Sequence, residues 1–314
     1  MPEFLTVTLN PSVDVAMTVN RIIDTHKLRC ATARRDPGGG GLNVARVIRR
    51  LGDRSDCTAL YFSGGVVGQE LAQLLDAEQV ECISVPVADE TRENFSVRET
   101  STGKEYRFVL PGPVVSAQEW ALMQRQLDAL LGADVPPRYL VLSGSLPPGL
   151  PVDAHAHLVR AARRHGVRVA LDTSGKALAQ ALHEQVFLVK PSLRELSELV
   201  GRPLPDETAW RAAAQQIVDD GLAQIVALTL GEQGALVVTR EQALRAQALP
   251  VPVSSAIGAG DSFVAAMIWA LNRNESFGSA FHYALAAASA TLLVEGTALC
   301  RVEDVMRLYQ TLSS

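Results

Sequence analysis

Short β-branched runs alternate with helical stretches along nearly the whole of this 314-residue chain, and that rhythm leaves few folds open. Phe4–Leu9, Cys57–Tyr61, Tyr139–Leu142, Arg168–Leu171, Val186–Val189, Ile225–Thr229 and Ala235–Thr239 read as strands. Helical periodicity fits Leu42–Leu51, Gln69–Glu78, Ala117–Leu131, Asp153–His165, Leu193–Leu199, Glu207–Asp219, Phe263–Leu271 and Phe277–Ala290. Strands separated by helices do not pair as hairpins. Most connections carry a helix, so the sheet is mostly parallel and covered on both faces. The spacing therefore predicts an α/β fold over residues 1–314 as one domain, and a hydrophobic content of 47% is enough to fill it.

Two segments break the rhythm. Val13–Val19 with Lys27–Ala33, and Glu93–Arg98 with Glu105–Leu110, are alternating and partly polar, and the second carries a turn at Ser101-Thr102-Gly103. They predict a small β lid built from the discontinuous segments 13–34 and 90–110. A net charge of −5 argues against nucleic-acid or membrane-surface binding, so any basic function must be local. The four cysteines are far apart with no C-x-x-C pair, which predicts reduced thiols in a cytoplasmic protein. No stretch has the basic start and apolar core of a signal peptide, or the length of a membrane span.

Chemistry concentrates in two glycine clusters. In Ala256-Ile257-Gly258-Ala259-Gly260-Asp261-Ser262, glycines precede an aspartate at the mouth of an apolar helix. The unpaired N–H groups of a first helical turn, with the helix dipole, make an anion cradle there, and Asp261 stands beside it to take a proton. The other cluster, Pro37-Gly38-Gly39-Gly40-Gly41-Leu42-Asn43, lets backbone approach a ligand and sets Asn43 one turn into a helix. A dinucleotide fingerprint would need glycine at 43 and a strand that Pro37 spoils, and no G-x-x-x-x-G-K-[ST] occurs.

Ser143–Gly149, Asp172–Ser174, Lys190–Glu195 and Thr229–Gly234 follow predicted strands, where open α/β sheets bind ligands. Lys27, Arg29, Arg92 and Arg107 lie in or near the lid and suit a phosphate monoester if they converge. Asp14, after the first strand, is placed to accept from sugar hydroxyls or to cap the Pro11-Ser12 turn.

Taken together, the Gly38–Asn43 loop and the Gly258–Asp261 cradle, in this order, resemble the ribokinase-like (PfkB) carbohydrate kinases over essentially the whole chain. Lys27-Leu28-Arg29-Cys30, Thr91-Arg92, Tyr106-Arg107-Phe108 and Gly144–Gly149 are similar to the phosphosugar-kinase branch. The resemblance implies ATP-dependent phosphorylation of a sugar phosphate, fructose 6-phosphate first. The alternatives are tagatose 6-phosphate or fructose 1-phosphate, whose kinases typically carry lysine at the third glycine, here Gly40. A non-catalytic phosphosugar sensor is a more distant reading.

By the same resemblance, Asp261 is the general base, and Gly258, Ala259 and Gly260 stabilise the transferring phosphoryl group. Asp14, Gly38, Gly39 and Asn43 hold the sugar; Lys27, Arg92, Arg107 and Ser145 address its phosphate. Lys190, Ser192, Glu195, Thr229, Gly231 and Gly234 line the ATP side, with Glu195 reaching Mg²⁺ through water. A K⁺ site near Ser255, Ile257 and Gly296 and a homodimer formed through the lid are also implied. Two positions depart from the family pattern: Ser192 replaces the usual Asn of Lys-Pro-Asn-x-x-Glu, and Ala256 a common Thr or Ser.

Overall fold

A computed structural model describes residues 2–31, 33–52 and 57–313. β1 (Phe4–Thr8) is an interior strand, third from one edge of a nine-stranded sheet, parallel to β4 (Cys57–Ser63) on one side and β8 (Tyr139–Ser143) on the other. β5 (Glu81–Pro86) continues the β4 side. On the β8 side follow β9 (Arg168–Asp172), β10 (Val186–Val189) and β11 (Ala223–Thr229), all parallel. β12 (Ala235–Val238) and β13 (Ala243–Ala246) close that edge antiparallel.

Strand alternation splits the core into two layers. Phe4, Tyr139 and Val141 face the helices α1 (Gly40–Leu51), α8 (Ala259–Asn272), α9 (Phe277–Leu292) and α10 (Val302–Ser313). Leu5, Val7, Leu140 and Leu142 face α3 (Ala117–Leu131), α4 (Ala154–Arg164), α5 (Gly175–Leu182) and α7 (Glu207–Asp219). α8 is buried from Ser262 to Ala270, as an all-round apolar helix must be, with Phe263 edge-on to Phe281 of α9 at 6.3 Å. Its rigid seat sets the position of Asp261 in its first turn. No helix among the described residues is long and apolar enough to cross a membrane.

The segments that break the rhythm make a second sheet in the order β3-β2-β6-β7. β2 (Ser12–Val19), β6 (Arg92–Glu99) and β7 (Glu105–Val109) fall where the alternation predicts them. β3 does not. The Lys27–Ala33 run is irregular wherever it is described, and Thr32 within it lies outside the described residues. The strand is Arg34–Gly38 instead, and it contains Pro37, expected to spoil it. Among the described residues β3 is an edge strand paired only with β2, so a residue without an N–H is tolerated there. The glycine loop thus follows directly from a strand of the small sheet. Two edge strands of the large sheet, β5 and β13, and the helices α5 and α10 also lie outside the predicted set.

Candidate active site

Gly258 caps α8 with φ 78°, a left-handed conformation that suits glycine, and a Cβ there would come within 2.4 Å of Leu299. The tight entry turns Ala259 N–H back onto the Ala256 carbonyl at 3.4 Å, and Ser262 N–H bonds Gly258 at 2.9 Å. The N–H groups of Gly260 and Asp261 have no carbonyl of their own helix to reach, so they and the positive end of the dipole face the cleft.

The Asp261 carboxylate is held from two elements. Asn43 Nδ2, on α1, donates to Oδ2 at 2.9 Å, and Ser143 Oγ, at the end of β8, donates to Oδ1 at 3.2 Å. A Cβ at Gly40 would sit 2.0 Å from Ser143 Oγ and 2.9 Å from Asp261 Oδ1, so the glycine loop packs directly on the carboxylate. Burial pushes Asp261 up to about 7, reinforced by the Asp172 charge and opposed by Asn43, Lys190 and Ser143. One face stays open to the cleft. The group is therefore poised near neutrality, where a base exchanges protons most effectively.

Lys190 follows β10, and its Nζ lies 3.2 Å from Asp172 Oδ1 at the end of β9. Burial works against its charge, but Asp172, Asp261 and Glu195 outweigh burial and raise its pKa, so it stays cationic. A Cβ at Gly260 would lie 3.3 Å from Lys190 Nζ and 4.0 Å from Asp172 Oδ2, which sets this pair beside the cradle. Ser192 and Thr229 bridge their two loops, and Gly231 borders open space. Ser192 caps α6 (Leu193–Val200): its Oγ accepts from Glu195 N–H at 3.3 Å, while Glu195 Oε2 accepts from Ser192 N–H at 2.8 Å. One carboxylate oxygen of Glu195 is thus committed to the helix start.

On the opposite side of the cleft, Asp14 packs on Gly38, and its Oδ1 accepts from Ser12 at 2.7 Å and Asn94 at 3.0 Å. Asp14, Asn94, Arg107, Ile257 and Thr297 line one small cavity under the second sheet. Arg92 reaches inward to the carbonyls of Leu110 (2.8 Å) and Asn10 (2.9 Å), and Asn10 Nδ2 bonds Ser145 Oγ at 3.1 Å. The expected convergence of cations is therefore partial. Lys27 and Arg29 are exposed in the irregular stretch between β2 and β3 and take no hydrogen bond or ion pair among the described residues. Ser255 Oγ, 3.3 Å from Glu105 Oε1, accepts from Ile257 N–H at 3.3 Å. Gly296 is held at φ 59° against Ala16, on the wall of a cavity of about 160 Å³ that Ser254 also lines. From the sequence, Ser143 and Asp172 stand only within loops that follow predicted strands, and Asn10, which also directly follows one, has no role.

The profile of the pfkB family carbohydrate kinases matches residues 7–304. The chain belongs to that family. It is 42% identical over 309 residues to the ATP-dependent 6-phosphofructokinase isozyme 2 of Mycobacterium tuberculosis, covering 98% of this chain and 89% of that one. The crystal structure of phosphofructokinase-2 from Escherichia coli in complex with potassium is 40% identical, covers 100% of both chains and superposes with TM-score 0.93. A tetrameric inhibited form of that E. coli protein is 39% identical, covers 100% of both chains and gives TM-score 0.91. Like other pfkB members, this chain has a ribokinase-like α/β fold with a small accessory sheet, and is a sugar-directed phosphotransferase.

Proposed function

We propose that the chain is an ATP-dependent 6-phosphofructokinase, transferring the γ-phosphoryl group of ATP to the C1 hydroxyl of fructose 6-phosphate. The observation that carries the reading is Asp261, clamped by Asn43 and Ser143 at the mouth of α8 with Lys190 beside it. Asp14, Gly38, Gly39 and Asn43 hold the sugar. Arg92, Arg107 and Ser145 address the 6-phosphate, and Lys27 joins them once the small sheet closes as a lid.

Asp261 draws the proton from the attacking hydroxyl as the new P–O bond forms. The N–H groups at the start of α8 and the Lys190 ammonium stabilise charge on the transferring group, which passes through a loose, in-line transition state. Closure of the lid excludes water, so that the sugar hydroxyl is the acceptor present.

The donor set fits a nucleotide and a divalent cation bound with it. No cluster of three or more His, Cys, Asp or Glu residues among the described residues could cage a metal alone. Glu195 with phosphate oxygens and water suits Mg²⁺, which takes only one or two protein carboxylates in such sites. When bound, Mg²⁺ would supply charge neutralisation for the phosphates of ATP. K⁺ fits the loops at Ser255, Ile257 and Gly296, which adjoin the Glu105 carboxylate. A homodimer formed through the lid is the assembly this reading carries, supported by the β7 edge of the small sheet with Phe108 and Val109 exposed on it.

A coupled ADP-release assay with Mg²⁺-ATP and K⁺, run on fructose 6-phosphate, tagatose 6-phosphate, fructose 1-phosphate and fructose, tests the reading. A dominant kcat/KM for fructose 6-phosphate, lost by at least ~10³-fold in Asp261→Asn, is the expected result. Preference for another phosphosugar moves the substrate assignment. Turnover retained by Asp261→Asn sinks the mechanism.

A further inference from the structure

Arg46 is wholly buried, 0% exposed, one turn along α1 from Asn43, and neither the sequence nor the mechanism above gives it a task. Its guanidinium is fully engaged. Nε and Nη2 meet Glu78, just past α2 (Gly65–Ala77), at 3.0 and 2.6 Å, and Asp36 of β3 lies 4.0 Å away. Nη1 donates to the Pro37 carbonyl at 2.8 Å, to the Thr297 carbonyl at 3.1 Å and to Asn43 Oδ1 at 3.2 Å.

The last bond decides which way the Asn43 amide faces. With Oδ1 taken by a guanidinium, Nδ2 must point away from Arg46, where it meets Asp261 Oδ2 at 2.9 Å. A flipped amide would set its oxygen against a carboxylate and its N–H₂ against a cation, so both contacts would turn repulsive. We propose that Arg46 is a positioning residue for the general base, locking the Asn43 amide toward Asp261 and tying it through the Pro37 carbonyl to β3, an edge strand of the small sheet. The same guanidinium thus joins β3 to the chemistry, so that lid position and base orientation are set by one side chain.

The inference rests on the proposed role of Asp261. The charged and polar groups facing Asp261 are Asp172 from β9, Lys190 from the end of β10, Asn43 from α1 and Ser143 from β8. Those facing Arg46 are Glu78, itself held by Arg50 at 2.8 Å, and Asp36, held by Arg34 at 2.8 Å. Arg46→Lys keeps the charge but loses the fork, so it releases the Asn43 amide without removing a cation. Losing a hydrogen bond to the ionised form raises an acid's pKa.

The experiment is a pH titration of the ligand-free, ¹³C-Asp-labelled protein by NMR, with the Asp261 resonance identified by its absence in Asp261→Asn. We expect the Asp261 midpoint to rise by about one pH unit in Arg46→Lys, with the acid limb of kcat moving by the same amount. Glu78→Gln breaks the main ion pair of Arg46 but leaves its bond to Asn43, so Tm should fall and the midpoint stay. An unmoved midpoint in folded Arg46→Lys overturns the proposal, as does an equal shift in Glu78→Gln. Should Arg46→Lys fail to fold, a neutron structure of the unaltered protein gives the answer: amide deuterons directed at Asp261 support the lock, and at Arg46 refute it. Because the titration is read without ligands, its outcome is separate from the substrate assay.

Discussion

The Asp261 carboxyl is drawn two ways, since the environment that makes it a base near neutrality also makes its charged form costly to fold around. Its pKa lies above that of an unfolded aspartate, up to about 7, because of burial and Asp172. A raised acid contributes stability below its unfolded pKa and loses it as pH climbs through the folded value. Asp261→Asn should therefore abolish turnover yet raise Tm relative to the unaltered protein, more at pH 8 than at pH 5, as scanning calorimetry would show. Turnover needs the ionised form, so kcat should rise with pH up to about 7 and then level off, checked by initial rates at saturating substrates. A wild-type rate flat from pH 5 to 8 would contradict this. Gly40 makes a second demand. A methyl there sits 2.0 Å from Ser143 Oγ and 2.9 Å from Asp261 Oδ1, and its backbone is not left-handed, so these side chains rather than the chain must yield. Gly40→Ala should lower kcat at least about tenfold, the loss of one hydrogen bond to a charged group, and part of that loss should persist in a Ser143→Ala background, where the contact with Asp261 remains.

The elements that carry the site were unevenly legible. α8 and α1 announce themselves through glycines ahead of apolar helical runs, and six parallel strands, β1, β4, β8, β9, β10 and β11, through their short, mostly apolar stretches. Edges hide better. β5 is partly polar because only one of its flanks is covered, β13 is four residues long, and β3 contains a proline that only an edge position admits. The loops of Ser143 and Asp172 were legible as candidate ligand loops, but their pairing with Asp261 was not. Ser143 bonds it and Asp172 faces it only because β8 and β9 end where α8 begins, and local pattern carries no record of that pairing. Ser192 shows how one residue can serve two purposes. Its hydroxyl caps α6 in a reciprocal box with Glu195, the acid expected near Mg²⁺. Ser192→Ala should cost about 1 kcal/mol by urea unfolding and free Glu195 from the box, whereas Ser192→Asn, also a good cap, should leave stability within about 0.5 kcal/mol. With its longer reach, Asn should also lower the Mg²⁺ concentration that gives half-maximal rate. Unchanged Mg²⁺ dependence would show that the helix cap alone governs this position.

Across the whole molecule, the large sheet is closed on both faces, and the small one is not. Among the described residues β7 is an unpaired edge, with Phe108 55%, Val109 58% and, just beyond it, Leu110 44% exposed. An edge with open hydrogen bonds and apolar side chains is a template for another strand, and a second copy of this chain is the partner expected there. Phe108→Asp should give a monomer by light scattering at concentrations where the unaltered protein is a dimer, with a lower kcat/KM for the sugar phosphate. An unaltered protein that is monomeric throughout would remove the lid interface. The pairing inside the small sheet has a consequence for how the chain first reaches this shape. β2 and β6 lie side by side in parallel, with Ser12 opposite Arg92, so they meet only after α1, β4, α2 and β5 have been wound between them. Closing so long a loop is entropically slow and is rewarded only once that intervening unit is packed. The nascent chain should thus build its scaffold first and its cover last. The cover should also be the region whose amides exchange with solvent soonest in the finished protein.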